Sequence, residues 1–204
     1  MSSYFDEAAA NWDSPDKVER SRALAEAIAG AVPLQPEWRA LDYGCGTGQL
    51  TWALGTRLAH VTLADVSEGM LAVARLGAAG DPERYEVIRL DLVEGPLPQP
   101  VDLAYTAMAL HHIPDVDAAL RALRDSLLPG GWVALADLSL DPENHFHDDH
   151  MDVHHGLDRH HLAAKLEALG FADVTTATAA TLTKPKDGVD HEHEVFLVTG
   201  RRAG

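Results

Sequence analysis

Glycines alternate with other residues in the segment Asp42-Tyr43-Gly44-Cys45-Gly46-Thr47-Gly48, directly after a short apolar run. Alternating glycines let a backbone turn sharply and approach a ligand without interference from Cβ atoms. A helical pattern follows, and the first turn of such a helix presents unpaired N–H groups and a positive dipole end. Because a pyrophosphate site is normally free of negative charge, Asp42 favours a ligand with a cationic ammonium group. The segment therefore predicts a binding site for a nucleoside that carries an amino acid.

Two further acids, Asp65 and Asp91, lie at the ends of the next two predicted strands. In an open α/β sheet, ligands bind beyond the carboxyl ends of the strands. Asp65 occupies a position where an acid commonly accepts hydrogen bonds from ribose hydroxyls. Asp91 and Leu92 are predicted to bind an adenine, sandwiched by Val66 and Met70. A single strand-end acid is usually a cap or a turn former, but three beside a glycine turn favour a binding site.

Strands and helices alternate along the chain, which predicts an α/β fold with a doubly wound, mostly parallel, Rossmann-like sheet. The last two strands lack room for a helical crossover between them, so we expect an antiparallel pair at the edge. We also expect a turn at Pro129-Gly130-Gly131. The seven predicted strands are 38–43, 60–65, 85–91, 101–106, 132–138, 171–178 and 194–199. One domain, 1–204, is predicted, with an N-terminal lid and helix (1–34) and a histidine-rich substrate loop (139–157).

The chain is strongly acidic, with 16 basic and 32 acidic residues and a formal net charge of −16. Such a surface repels phosphate backbones, so nucleic acid and anionic membranes are poor partners. A single cysteine, Cys45, excludes an intrachain disulfide framework and fits a reducing compartment. The N-terminus resembles no signal peptide, and no apolar run approaches a membrane span. We expect a cytoplasmic protein; its oligomeric state is left open.

With these motifs in order, residues 35–140 resemble the class I S-adenosylmethionine-dependent methyltransferases, in particular a small-metabolite branch that includes quinone-biosynthesis enzymes. Beyond the glycine segment and Asp65, the matching segments are 89–92 (Arg-Leu-Asp-Leu), 109–115 (Ala-Leu-His-His-Ile-Pro-Asp) and 127–131 (Leu-Leu-Pro-Gly-Gly). The resemblance implies S-adenosylmethionine as cofactor and S-adenosylhomocysteine as product.

The resemblance also implies a role for each matching residue. Gly44 and Gly46 would line the methionine moiety, with Asp42 near its ammonium group. Asp65 would bind the ribose, and Asp91 with Leu92 the adenine. Thr106 and Ala107, after the fourth strand, would border the sulfonium and its methyl group.

Candidates for the acceptor site lie in the N-terminal segment and after the fourth strand. Tyr4, Phe5 and Trp12 are predicted either to form an aromatic lid over the acceptor or to staple the first helix onto the sheet. His111, in the pair His111-His112, is predicted to face the pocket and bind substrate. We therefore expect the acceptor to bind between the N-terminal segment and the loop after the fourth strand, outside the glycine turn.

A catalytic base is predicted in the histidine-rich loop. Histidine titrates near neutrality, so it can remove a proton from a hydroxyl, thiol or amine. His154 and His155 are the candidates, because Gly156 would let the backbone turn one of their side chains inward. The resembling branch often carries a similar His-His-Gly segment.

The same loop offers metal-ligand types without an established zinc spacing. They are His145, His147 and His150 with Asp148, Asp149 and Asp152, and later the segment 191–194. No metal is predicted, although metal-assisted methyl transfer remains an alternative. A non-catalytic S-adenosylmethionine-binding regulatory module is another. A nicotinamide-dependent oxidoreductase is disfavoured, because the glycine spacing differs from Gly-x-Gly-x-x-Gly.

Overall fold

A seven-stranded sheet forms the centre of the computed structural model, which describes residues 2–147 and 153–204. The strands are β1 (Arg39–Tyr43), β2 (His60–Asp65), β3 (Tyr85–Arg89), β4 (Val101–Ala107), β5 (Leu127–Leu138), β6 (Phe171–Lys186) and β7 (Val189–Arg202). Their order is β3-β2-β1-β4-β5-β7-β6. The first five strands run parallel, whereas β7 pairs antiparallel with both β5 and β6. The predicted α/β fold and its antiparallel closing pair are confirmed.

Apolar side chains cover both faces of the sheet, as expected for a doubly wound fold. One buried cluster includes Leu63, Leu103 and Tyr105, and the other includes Leu41 and Phe196. Near-continuous apolar runs in β1, β2 and β4 are therefore explained by burial on two sides.

The helices begin at polar caps that the sequence contains. Ser14, Ser67, Asp115 and Asp158 each precede a helix, and the side chain of each accepts a hydrogen bond from a backbone N–H of the first turn. The helices are α1 (Ser2–Ala8), α2 (Pro15–Ala31), α3 (Gln49–Leu54), α4 (Glu68–Ala78), α5 (Val116–Asp125) and α6 (Arg159–Ala168).

Two predicted boundaries are wrong. The Pro129-Gly130-Gly131 segment lies inside β5, where Gly130 has a φ of +81° and the register with β4 shifts. The last two strands are also far longer than predicted and form one hairpin around Asp187-Gly188, both with positive φ. Such a two-residue turn matches the twist of a hairpin. The extension was missed because exposed polar residues dominate this part of β6.

Within residues 2–147 and 153–204, no helix combines the length and the apolar character needed to cross a membrane.

Candidate functional site

A cavity of about 290 Å³ lies at the carboxyl ends of the central strands, between the glycine turn and α2. This is the position at which ligands bind in open α/β sheets. Eight of the ten residues predicted to bind cofactor line it: Asp42, Gly44, Gly46, Asp65, Val66, Met70, Asp91 and Ala107. The fold therefore brings most of the predicted cofactor residues to one place.

Left-handed backbone shapes the glycine turn. Gly44, Gly46 and Gly48 have φ values of +66°, +54° and +89°, a region that side chains rarely tolerate. A Cβ on Gly44 would lie 2.5 Å from Cβ of Ala109, and one on Gly48 would lie 2.6 Å from the Trp52 ring. The glycines are thus required by conformation and, at two positions, by space.

Asp42 lines the cavity from the end of β1 although its side chain is almost fully buried. Its carboxylate accepts a hydrogen bond from the Thr51 hydroxyl at 2.6 Å, and Thr51 also contacts the Tyr105 hydroxyl at 2.8 Å. Burial raises the pKa of Asp42 to about 7, against the opposing effect of the Thr51 hydrogen bond. A nearby cation would stabilise the ionised form.

Asp65 connects the glycine turn to the start of α4. One carboxylate oxygen accepts the Gly46 N–H and the other accepts the Ser67 N–H, both at 2.9 Å. Burial raises the pKa of Asp65 despite these hydrogen bonds. Each oxygen has a further lone pair, so the carboxylate can also accept from a ligand hydroxyl.

Two predicted cofactor residues do not line the cavity. The side chain of Leu92 is buried in the core, and its N–H donates to the Tyr43 hydroxyl at 3.3 Å. The next residue, Val93, lines the cavity instead, and its N–H donates to Asp91 at 2.9 Å. Thr106 is fully buried in β4, with no partner for its hydroxyl among the described residues.

The segment of residues 4–14, here called the N-terminal lid, is held over the cavity by two carboxylates. Asp6 accepts hydrogen bonds from the Ser67 hydroxyl at 2.6 Å and from the Gly69 N–H at 2.9 Å. Asp13 accepts from the Thr47 hydroxyl at 2.6 Å and from the Gln49 amide at 2.9 Å. The hydrogen bond from Ser67 lowers the pKa of Asp6. These acids connect the lid to the glycine turn and to α4.

Aromatic residues of the lid divide between cavity and surface. Phe5 and Trp12 line the cavity and contact each other edge to face, with ring centroids 5.5 Å apart. Tyr4, predicted to bind substrate, is 50% exposed and does not line the cavity. Its ring packs on Phe5 from outside.

Arg20 is a cavity residue that sequence analysis missed. It lies on α2, faces the glycine turn across the cavity and forms no salt bridge with any described residue. Burial lowers its pKa, but a guanidinium stays charged at neutral pH. One arginine in a charged helix carries no distinguishing signal, so only the fold reveals it.

The pair His111-His112 splits between two environments. His111 is buried and bonds Asp137 through both its backbone N–H and Nδ1, whereas His112 lines the cavity. The His112 ring contacts Phe5 at 5.1 Å between centroids. Burial, and next the neighbouring His111, lowers the pKa of His112 to about 3. The prediction that His111 faces the cavity is corrected to His112.

His154 and His155 lie outside this cavity and are exposed. The backbone N–H of His154 donates to the His111 carbonyl at 2.8 Å, and His155 accepts from the Asp141 N–H at 2.8 Å. A Cβ on Gly156 would lie 2.2 Å from the Ser139 carbonyl oxygen. The glycine therefore serves close packing against the end of β5, and it turns no histidine inward.

The histidines and acids that offered metal-ligand types in the histidine-rich loop either contact different groups or lie outside the described part of the chain. His145 bonds Asp141 at 3.2 Å and stacks on His191 of β7. Asp148, Asp149, His150 and Asp152 lie outside the described residues. His147 instead packs against His111 and His112.

Known proteins resemble this chain over its core. Residues 40–131 match a family model described as a methyltransferase domain. The bifunctional biotin biosynthesis protein BioCD of Bordetella avium is 39% identical over 153 residues, which are 72% of this chain and 32% of that protein. A ubiquinone biosynthesis O-methyltransferase of Idiomarina loihiensis is 35% identical over 103 residues, 50% of this chain and 42% of that enzyme. The chain spans less than half the length of each of these relatives.

Solved structures share the fold at low identity. The complex of DhpI with S-adenosylhomocysteine superposes with a TM-score of 0.70 at 22% identity, covering 99% of this chain and 95% of that one. A methyltransferase bound to the Trm112 activator of Haloferax volcanii gives 0.76 at 18% identity, covering 98% of both chains. Together with the matched domain and the relatives, these similarities confirm the resemblance seen in the sequence: residues 40–131 match a methyltransferase domain, and the chain resembles the class I S-adenosylmethionine-dependent methyltransferases, including those of quinone biosynthesis.

Proposed function

We propose that this protein transfers the methyl group of S-adenosylmethionine to a small molecule with an aromatic or apolar body. The observation that carries the proposal is a cavity with two chemically different walls. One wall is the glycine turn with its buried carboxylates, and the other is formed by Phe5, Trp12, Met108, Ile113 and His112. The first wall fits the cofactor and the second an acceptor.

The charges of the cavity match those of the cofactor's methionine portion. Asp42 offers a carboxylate to the ammonium group, and Arg20 offers a guanidinium to the carboxylate, with which it can form a bidentate pair. Asp65 accepts from the ribose hydroxyls, and Asp91 with Val93 borders the adenine. Without such a pair of opposite charges, a zwitterion would lose its hydration uncompensated.

The acceptor wall favours a planar, apolar molecule with one nucleophilic group. Aromatic side chains contact a ring over a large area at favourable edge-to-face geometry. His112 is neutral at pH 7 because of its low pKa, so a free ring nitrogen can accept a hydrogen bond from an acceptor hydroxyl. The similar enzyme from Idiomarina loihiensis is named an O-methyltransferase, which supports oxygen as the methylated atom.

The reaction needs alignment of the acceptor oxygen with the S–CH₃ bond more than acid–base catalysis, since a sulfonium is already a strong electrophile. A lone pair of the acceptor oxygen forms the new bond to the methyl carbon. The S–CH₃ bond breaks, and its electron pair stays on sulfur as the neutral thioether S-adenosylhomocysteine. The acceptor proton leaves to solvent. The lid excludes water from the sulfonium through Phe5 and Trp12.

The net charge of −16 makes a nucleic-acid acceptor unfavourable, so a small molecule is the proposed partner. One cysteine in 204 residues fits a reducing cytoplasm. We regard residues 1–204 as one methyltransferase domain, with residues 1–34 as lid and helix and residues 139–157 as an acceptor-side loop.

Calorimetric titration with S-adenosylmethionine and S-adenosylhomocysteine tests the cofactor assignment. We expect one site per chain, and absence of binding at near-millimolar ligand would refute it. Incubation with a panel of hydroxylated aromatic compounds, followed by mass spectrometry, tests transfer. A product 14 Da heavier, as one methyl replaces one hydrogen, is expected for at least one phenol. Cofactor binding without product from the panel would instead favour the regulatory module.

A further inference from the structure

Three histidine rings from two distant loops converge beside the cavity. His111 and His112 follow β4, and His147 comes from the loop after β5. Ring centroids are 4.0 Å apart for His111–His112, 4.9 Å for His111–His147 and 5.7 Å for His112–His147. One ring nitrogen from each lies within 4.8 Å of the other two. A shared ligand would compensate these imidazoles for the water that they lose on burial, because each is a polar group.

Two ring nitrogens of this cluster lack partners among the described residues. Nδ1 of His112 and Nδ1 of His147 are buried, and neither has a hydrogen-bond partner among the described residues. The His147 side chain is also more than nine-tenths buried. Leaving a buried polar atom unpaired costs about 1–3 kcal/mol. Two adjacent cases in one cluster therefore indicate a ligand that the protein itself does not supply.

Asp137 completes the pattern from behind His111. Its carboxylate binds Nδ1 of His111 and the His111 N–H, which leaves Nε2 of His111 free. A metal-binding histidine almost always donates its second ring N–H to a carboxylate or carbonyl, which fixes the ring and increases its basicity.

We propose that His111, His112 and His147 bind a zinc ion, with Asp137 as the carboxylate behind His111 and an exchangeable oxygen as fourth ligand. Three neutral imidazoles favour zinc, whereas magnesium and calcium prefer oxygen ligands. In a tetrahedral site with Zn–N distances of 2.0–2.1 Å, the nitrogens lie about 3.3 Å apart. Starting from 4.8 Å, the rings need to approach by about 1.5 Å at most.

Charges around the cluster allow a divalent cation. Asp137 contributes one negative charge directly behind the ligands. Arg20 and Lys184 oppose a cation, since both interact electrostatically with members of the group. Lys184 also donates to the Phe146 carbonyl, and Arg20 faces the cavity, where an anionic cofactor group would neutralise it. The fixed charge directly behind the proposed ligands is therefore that of Asp137, which favours a cation.

The site would give the acceptor a more reactive oxygen, an inference that rests on the proposed function. His112 belongs to the cluster and also lines the cavity, so a hydroxyl bound to zinc would lie at the acceptor wall. The one lone-pair nitrogen of neutral His112 would then bind the metal, and the acceptor hydroxyl would bind zinc instead of that nitrogen. Coordination lowers the pKa of a bound hydroxyl strongly, to about 7 for water. The proton leaves to solvent, the zinc-bound oxygen attacks the methyl carbon, and the sulfur keeps the S–C electron pair. A phenol or alcohol is thus the acceptor class.

Zinc titration of chelator-stripped protein against a chromophoric competitor tests the site. The wild type should bind one zinc per chain, and H112A and H147A should each weaken binding by at least about tenfold. H191A is the matched control, because His191 belongs to the separate His145–His191 stack. Equal affinity in wild type, H112A and H147A would overturn the proposal, as would loss of binding in H191A alone.

Substitution of His111 would strand the buried Asp137, so D137N is the safer variant for the carboxylate. It should weaken zinc binding by about 10–100-fold. Cobalt in place of zinc should give the intense visible bands of tetrahedral coordination in the wild type and lose them in H147A. Unchanged bands in H147A would contradict the ligand set. S-adenosylmethionine titration of the same samples separates the two proposals: cofactor binding without zinc binding refutes only the metal site, and the reverse refutes only the methyltransferase function.

Discussion

The two walls of the cavity differ in how completely their polar groups are paired. On the cofactor wall, Asp42 accepts from Thr51, and Asp65 accepts from two backbone N–H groups. On the acceptor wall, Nδ1 of His112 has no partner among the described residues, and neither has Nδ1 of His147, whose ring packs against His112 outside the cavity lining. One wall is therefore preorganised by its own hydrogen bonds, and the other retains binding capacity at a cost in stability.

This difference follows from where the groups come from in the chain. Asp65 and Asp91 lie at strand ends, where each accepts a hydrogen bond from the backbone N–H two residues further along the chain. The acceptor wall is assembled across long separations, since Phe5 of the N-terminal lid contacts His112 after β4. A cofactor that is common to a family can be held by local structure, whereas an acceptor requires loops that vary independently.

The largest effect on cofactor binding is expected on the cofactor wall, from Gly44→Ala. Its Cβ would lie 2.5 Å from Cβ of Ala109, at a φ of +66° that alanine adopts only with strain. The turn must therefore shift, and we expect S-adenosylmethionine binding to weaken by at least about 100-fold, or roughly 3 kcal/mol. Calorimetric titration measures it.

Gly30→Ala is the matched control. Gly30 lies in α2 with no atom within 4 Å of the added Cβ and with ordinary φ. The free energy of unfolding should rise by about 0.5–1 kcal/mol, because alanine favours helix, and cofactor affinity should stay unchanged. Equal binding by both variants would show that the glycine turn does not contact the ligand.

The second prediction concerns the proton on Asp42. Its pKa is raised to about 7 in the folded protein, so between pH 3.8 and 7 the folded state holds a proton that the unfolded state has lost. This contribution to stability is complete below about pH 4 and is lost as the pH rises through 7. In D42N it is absent. The variant should therefore gain stability relative to wild type as pH rises, by up to about 4 kcal/mol at pH 8.

Chemical unfolding of both proteins from pH 4 to pH 8 measures that difference. Comparing the two proteins cancels the opposite contributions of carboxylates whose pKa values are lowered, such as Asp6 and Asp158. A difference that does not change with pH would mean that Asp42 is ionised throughout. On the same samples, S-adenosylmethionine affinity should rise with pH in wild type only, since the ammonium group favours ionised Asp42.

Local spacing explains why the cofactor wall could be predicted from the sequence. Each acid ends its own strand, and parallel strands end at one edge, so alternation alone brings Asp42, Asp65 and Asp91 together. Prediction failed by one residue at Leu92, because the chain turns there and exposes Val93 to the cavity instead. The regular alternation of side chains between the two faces of a strand no longer applies once the strand has ended.

The sequence indicates Phe5 and Trp12 of the acceptor wall, but the histidines on this side of the cavity could not be placed because their contacts are long-range. His154 and His155 are predicted to be catalytic because Gly156 follows them and because the resembling branch carries a similar segment, yet that glycine is required by its approach to the Ser139 carbonyl. The converging histidines come from loops that the sequence does not relate to each other. Nothing in the local pattern distinguishes His147, which is buried, from His145, which bonds a neighbouring acid.

The smallest effect is expected at the joint between lid and core. Gly69 lies at the start of α4, and a Cβ there would be 2.6 Å from Cα and O of Asp6. Gly69→Ala should displace the lid without touching the glycine turn, because the clash is with α1 backbone. We expect a rise of a few-fold in the dissociation constant for S-adenosylmethionine, about 1 kcal/mol, and faster proteolysis near residue 10.

Gly80→Ala serves as its control, since an added Cβ there meets no atom within 4 Å. Both substitutions add one methyl group near the ends of α4, so their difference isolates contact with the lid. If Gly69→Ala leaves proteolysis and cofactor affinity at the wild-type level, the lid does not contribute to cofactor binding. The hydrogen bonds of the cofactor wall would then be sufficient for cofactor binding without the N-terminal lid that Asp6 anchors.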